Sequence, residues 1–204
     1  MIEFAALYVR ADGPYPSMTP HWYGVERDAR SYTGVLPVVA HPPCKRWGRW
    51  WWADGSIAPG NDGGLFAHAL GEIRRCGGII EHPEGSHAFR EFDLPHPVIG
   101  AWSRGLFPSE WSTCVSQGAY GHRARKLTWL FFVGDYPPPL KWKIPEREFA
   151  YLCPPGRRKN KPGRSGVELL TAKENEVTPQ PFANMLAGIV QSRPSRHAQA
   201  GAPG

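Results

Sequence analysis

The chain has 204 residues, of which 41% are hydrophobic and 9 are Trp. That is enough apolar material for one buried core and too much for a disordered chain. No apolar run approaches the roughly 18 residues of a membrane span, and the formal net charge of +6 suits a polyanionic partner. In chain order, FAALYV (4–9) and LPVVA (36–40) read as buried strands. In DGGLFAHALGEIRRCGG, the residues Leu65, Phe66, Ala69, Leu70 and Ile73 recur at helical spacing, and Gly77–Gly78 supply a stop. GIIEH (78–82) and KLTWLFFVG (126–134) read as two further strands. The last helix opens in TPQPFANMLAGIVQSR with Thr178 as N-cap and Pro179 at the first helical position. Its apolar stripe is Phe182, Met185, Leu186, Ile189 and Val190.

Strand, helix and strand at this spacing make a βαβ unit and therefore a parallel pair. The expected fold is α/β, three-layered, with a mostly parallel sheet and long loops rich in Pro (22) and Gly (23). One catalytic domain is expected over 1–191, followed by a flexible tail over 192–204. The start, MIEFAALYVRADG, carries Glu3 and lacks the basic region of a signal peptide, so a cytoplasmic protein with reduced thiols is expected. The four cysteines, Cys44, Cys76, Cys114 and Cys153, form no CxxC pair, and no metal is expected. Cys76 and Cys114 read as packing residues.

Cys44 is different. It stands behind two prolines at the end of an apolar strand and is followed by Lys45, Arg46 and Trp47. In an open α/β sheet, ligands bind beyond the carboxyl ends of the strands. His41-Pro42-Pro43-Cys44 follows the second strand, and Glu81 ends the third. A thiol and a carboxyl thus fall on one edge. His41 is placed either to donate to a ligand and shuttle a proton or to cap the strand end. His82 reads as structural. GHRARK (121–126) and RRKNKPGR (157–164) are basic clusters, suited to phosphates or simply solvated.

These motifs resemble DNA cytosine-5 methyltransferases. VVAHPPC (38–44) looks like their Pro-Cys motif, whose cysteine is the nucleophile, and IIEHP (79–83) like the strand end whose glutamate holds the pyrimidine at N3. YGHRARKLTWLFFVG (120–134) is similar to their arginine motif, and ENEVTPQPFANMLAGIV (174–190) to the turn that opens their last helix. The order matches over about residues 30 to 190. The resemblance implies a reduced, Rossmann-type methyltransferase-like core with Cys44 and Glu81 as catalytic residues and base flipping to reach the target, and His41, from its place at the same sheet edge, is the third catalytic candidate. Cationic neighbours favour a thiolate and grip phosphates. On that basis the expected contacts to DNA are Lys45, Arg46, Trp47, His122, Arg123, Arg125 and Lys126. Trp50, Trp51 and Trp52 divide between core and strand contact.

The cofactor half departs from the pattern. The first strand runs into RADGPYPSM (10–18) with no Gly-x-Gly turn, and too few residues precede the Pro-Pro-Cys for two βα units. No cofactor is expected. The nucleophile without the methyl donor also looks like the phage enzymes that hypermodify thymidine, the amino acid:DNA transferases. That resemblance implies exchange of the phosphate of 5-phosphomethyl-deoxyuridine in duplex DNA for a small amino acid or amine such as glycine, in the host cytoplasm. Arg10 and Asp12 are then candidates for the amino acid's carboxylate and ammonium groups, against the alternative of a surface ion pair. Three rival readings are an S-adenosylmethionine-dependent DNA cytosine-5 methyltransferase, a non-catalytic duplex-binding protein, and an enzyme of free pyrimidine monophosphates.

Overall fold

The computed structural model describes residues 3–150 and 168–192. The basic run 157–164, Cys153 and the tail beyond Ser192 lie outside the described residues. The elements are β1 (Ala5–Leu7), β2 (Trp22–Tyr23), β3 (Val38–Ala40), α1 (Leu65–Cys76), β4 (Gly78–Pro83), α2 (His87–Glu91), β5 (Ser103–Arg104), β6 (Glu110–Ser116), β7 (Leu127–Val133), α3 (Ala172–Glu176) and α4 (Gln180–Gln191). All seven strands join one sheet in the order β2-β1-β3-β4-β7-β6-β5.

The fold is α/β, and its sheet is compatible with a Rossmann-like core. Strands β2, β1, β3, β4 and β6 run one way, and β7 and β5 run the other. The sheet is therefore mixed. The strand expected over 126–134 forms, but it lies antiparallel to β4 because the chain reaches it from the β6 hairpin and not through a helical crossover. The β3–α1–β4 unit is parallel, as its spacing predicts.

Alternation along the strands divides the core into two faces. Ala5, Leu7, Val38, Ala40 and Ile80 meet Phe66, Ala69, Leu70 and Ile73 of α1 on one side. Phe4, Ala6, Val39, Ile79, Leu130 and Phe132 meet Phe182, Ala183, Leu186, Ile189 and Val190 of α4 on the other. Because helices cover both faces of the inner strands, those strands read as unbroken apolar runs. Helix α1 stops where Gly77 turns to φ 73 and its N–H closes on the Ile73 carbonyl at 2.8 Å. Helix α4 begins one residue later than its spacing predicts. Pro179 keeps an extended ψ of 142° and is the N-cap, while Pro181 takes the first turn, where a missing N–H costs nothing.

Strands β2, β5 and β6 and helices α2 and α3 were not foreseen. Strand β6 reads EWSTCVS and hides Glu110, Ser112, Thr113 and Ser116, so no apolar alternation marks it. Arg74 of α1 compensates the buried Glu110 carboxylate at 2.8 Å. Helix α3 carries a capping box in which Thr171 and Glu174 satisfy each other's backbone N–H. No helix among the described residues is long and apolar enough to cross a membrane.

Candidate active site

The parallel register pairs Val38, Val39 and Ala40 with Gly78, Ile79 and Ile80. Extending it by one residue sets His41 beside Glu81 on the α4 side of the sheet, the side of Val39 and Ile79. The reversed direction of β7 matters at this point. Its beginning, not its end, meets the carboxyl ends of β3 and β4, so Lys126 and Thr128 arrive at the same edge. The end of β6 delivers Gln117 there as well.

Glu81 is held from both sides. His41 Nδ1 lies 3.0 Å from Oε2, and Gln117 Nε2 donates to Oε1 at 3.1 Å and to Thr128 Oγ1 at 2.9 Å. The other ring nitrogen of His41 meets the Tyr15 hydroxyl at 2.7 Å. Burial by itself would raise the carboxyl of Glu81. The hydrogen bond from His41, helped by the charge of Lys126, outweighs it and holds the pKa at about 2. The Glu81 side chain keeps 14% of its surface open.

Cys44 is a free, solvent-exposed cysteine. Protein nevertheless crowds its sulfur from behind, and burial followed by the Glu81 charge pushes the thiol up, against a downward pull from Lys126. Lys126 has the matching environment: burial lowers its pKa, and Glu81, Cys44 and Glu176 raise it. Its ammonium donates to the Val177 carbonyl at 3.2 Å, and its backbone sits at φ 36, a strained region for a side-chain-bearing residue. Cys44, Glu81 and Lys126 therefore form one electrostatic unit. The resting thiol is protonated, so alkylation of Cys44 by iodoacetamide should rise with pH to a midpoint above the ordinary thiol range. Lys126→Met should move that midpoint further up, and Glu81→Gln should move it down. Mass spectrometry of the alkylated peptide across pH checks both shifts.

The remaining expected residues scatter. Trp47 is buried, donates from Nε1 to Asp62 at 2.8 Å and packs on Phe66 and Phe92, so it belongs to the core. Trp50 and Trp52 are exposed instead. Arg46 pins the 58–60 loop through the carbonyls of Gly60 (2.8 Å) and Ala58 (3.3 Å), and Lys45 is exposed. His122 is buried and accepts the Ala124 N–H at 3.0 Å, a turn-holding position. Arg123 is exposed and paired with Glu168 and Glu174, and Arg125 is exposed. Arg10 and Asp12 pair bidentately with each other at 2.8 Å, and Arg10 also reaches Glu176 at 3.3 Å. Both line a cleft of about 680 Å³ that includes Tyr8, Asp28, Arg30 and Pro43, the neighbour of Cys44. His82 faces the other side of the sheet, with Nδ1 2.6 Å from Ser86 Oγ and its ring against Phe66. Burial lowers its pKa to about 4, so it stays neutral.

Sequence reasoning missed Tyr15, Gln117 and Thr128. Tyr15 lies in a Pro-flanked turn and Gln117 just past a strand that was not recognised. The one signal for Gln117 was a side-chain amide three residues ahead of Tyr120, where the resembled arginine motif begins. Among the described residues, no group of three or more His, Cys, Asp or Glu is placed to hold a metal ion. No protein-family model, curated protein or solved structure matches the chain.

Proposed function

We propose that this protein is a DNA-modifying transferase acting at C5 of a pyrimidine in double-stranded DNA through a covalent Cys44–C6 adduct. The observation that carries the reading is one sheet edge that gathers the exposed Cys44 just past β3, Glu81 held by His41 and Gln117 on β4, and Lys126 at the start of β7. A thiolate adding to C6 sends the C5–C6 electron pair into the C4 carbonyl. If C5 bears a phosphomethyl group, that pair returns to expel phosphate and leaves an exocyclic methylene. An amine adds to the methylene carbon and loses a proton, and expulsion of the thiolate restores the C5–C6 double bond. Nothing is oxidised or reduced, and no methyl donor is needed.

In this reading Lys126 favours the thiolate once substrate desolvates the site, and Glu81 holds the N3 edge of the flipped ring. The co-substrate is a small amino acid or amine, glycine being the simplest. The cleft beside Pro43 is its candidate berth, with Arg10 and Asp12 at the rim. The exposed Arg125, Lys45, Trp50 and Trp52 are the candidate contacts to the duplex.

The test is mass analysis of nucleosides from 5-phosphomethyl-deoxyuridine duplex DNA incubated with the protein and glycine. A glycine-substituted base that disappears when glycine is withheld supports the reading. Unchanged nucleosides with glycine and a panel of small amines, or methylated cytosine with S-adenosylmethionine, sink it.

A further inference from the structure

The hydrogen-bond chain around Glu81 has a direction, and that direction decides which ring edge the site accepts. Tyr15 is 2% exposed, and its hydroxyl meets His41 Nε2 at 2.7 Å. A neutral imidazole has one N–H. If that hydrogen sits on Nε2 and points at Tyr15, the tyrosine hydrogen must turn away into the apolar α4 face, where Tyr15 packs. A buried hydroxyl hydrogen without an acceptor costs roughly 1–3 kcal/mol. The satisfied arrangement has Tyr15 donating to Nε2 and His41 donating from Nδ1 to Glu81 Oε2 across 3.0 Å.

Gln117 repeats the constraint on the second oxygen. It is 1% exposed, and its amide nitrogen is shared between Glu81 Oε1 at 3.1 Å and Thr128 Oγ1 at 2.9 Å. Rotating the amide would set its oxygen against the carboxylate. Each carboxylate oxygen thus already receives one N–H, and what remains toward the open side is acceptor capacity. The other charged or titratable groups around Glu81 are Lys126 at the start of β7, Cys44 after β3 and His82 on its own strand. The one cation among them, Lys126, favours the ionised carboxylate, while His82 stays neutral.

We propose that Tyr15 and Gln117 determine base specificity: by fixing Glu81 as a hydrogen-bond acceptor they select a ring that donates at N3, the imide edge of uracil, and reject the N3 acceptor of cytosine. This rests on the reading of the site as a pyrimidine-modifying centre and deepens it. Uracil presents O2 and O4 acceptors flanking N3–H, so the acceptor Glu81 beside the cationic Lys126 complements two of its three edge groups. Cytosine can offer its N4 amino group to the carboxylate but sets the N3 lone pair against it unless N3 takes up a proton, so a site fixed as an acceptor binds it less tightly.

The experiment measures binding to two duplexes identical except at one mismatched target, 5-hydroxymethyl-deoxyuridine or 5-hydroxymethyl-deoxycytidine, with an unmodified duplex as reference. Fluorescence anisotropy should show the uracil target bound about tenfold or more tightly than the cytosine target. Tyr15→Phe, which keeps the ring and removes the hydroxyl, and Gln117→Met should each narrow that ratio severalfold. Glu81→Gln, able to donate as well as accept, should bring it near one. A merely structural role for Tyr15 or Gln117 would weaken both targets together and leave the ratio unchanged, which overturns the assignment. A wild-type preference for the cytosine target overturns it while leaving a pyrimidine-reading site standing. Equal binding of all three duplexes overturns both the assignment and the DNA-modification reading.

Discussion

Cys44→Ser should reduce turnover on 5-phosphomethyl-deoxyuridine DNA by on the order of 10⁴-fold or more while changing duplex affinity little. The proposed reaction has no detour around the sulfur. Phosphate leaves the methylene only after electron density reaches C5, and that density comes from addition at C6. A serine hydroxyl is far less acidic than a thiol, and both ring nitrogens of the nearby His41 are already engaged, by Glu81 and Tyr15. The alkoxide is therefore never populated. Binding is spared because Cys44 is exposed and the replacement changes one atom. Single-turnover assays read the loss, and anisotropy with the same duplex reads the retained affinity. A serine variant with full activity removes the covalent route. A variant that has lost both activities calls for Cys44→Ala, which should bind the duplex as the native chain does.

The second large effect concerns the framework. Gly78→Ala should destabilise the protein by about 3 kcal/mol or more. Gly78 opens β4 at φ 140, a region L side chains rarely adopt, and a Cβ built there would lie 2.0 Å from the Val38 carbonyl oxygen and 2.7 Å from the Val38 nitrogen. Both are backbone atoms of β3, so no side chain can turn aside to make room. The strands would have to separate at the pair that starts the β3–β4 register. Three residues along, the same register sets His41 beside Glu81, so the lesion reaches the site as well as the core. Urea melts measure the first effect. Loss of the pH-dependent Cys44 alkylation profile, in whatever fraction remains folded, measures the second.

What was legible beforehand follows from burial. Strands β1, β3 and β4 are covered on both faces, so their sequences are unbroken apolar runs that announce themselves. Helix α1 combines a regular stripe with a glycine stop and was found nearly residue for residue. Strand β6 escaped because four of its six buried positions are serine, threonine and glutamate, whose burial is supported by cross-strand pairing and by Arg74, contacts that no local pattern contains. Trp47 shows the same limit from the other direction. A tryptophan beside Lys and Arg suggests a nucleic-acid contact, but its ring has Phe66, Phe92 and the Asp62 carboxylate to pack and bond with, and it turns inward.

The sequence by itself determined the α/β class, the β3–α1–β4 crossover and the meeting of Cys44, His41 and Glu81 at one edge. Parallel strands of known register put their carboxyl ends together, and the residues just past those ends can be read directly. Only the tertiary structure decided the rest of the site. The reversal of β7 brings Lys126 and Thr128 to that edge, a hairpin end supplies Gln117, and a turn distant in the chain inserts Tyr15 behind His41. These groups are joined by hydrogen bonds and charge between segments far apart in the chain, and such contacts leave no periodic mark in the sequence that makes them.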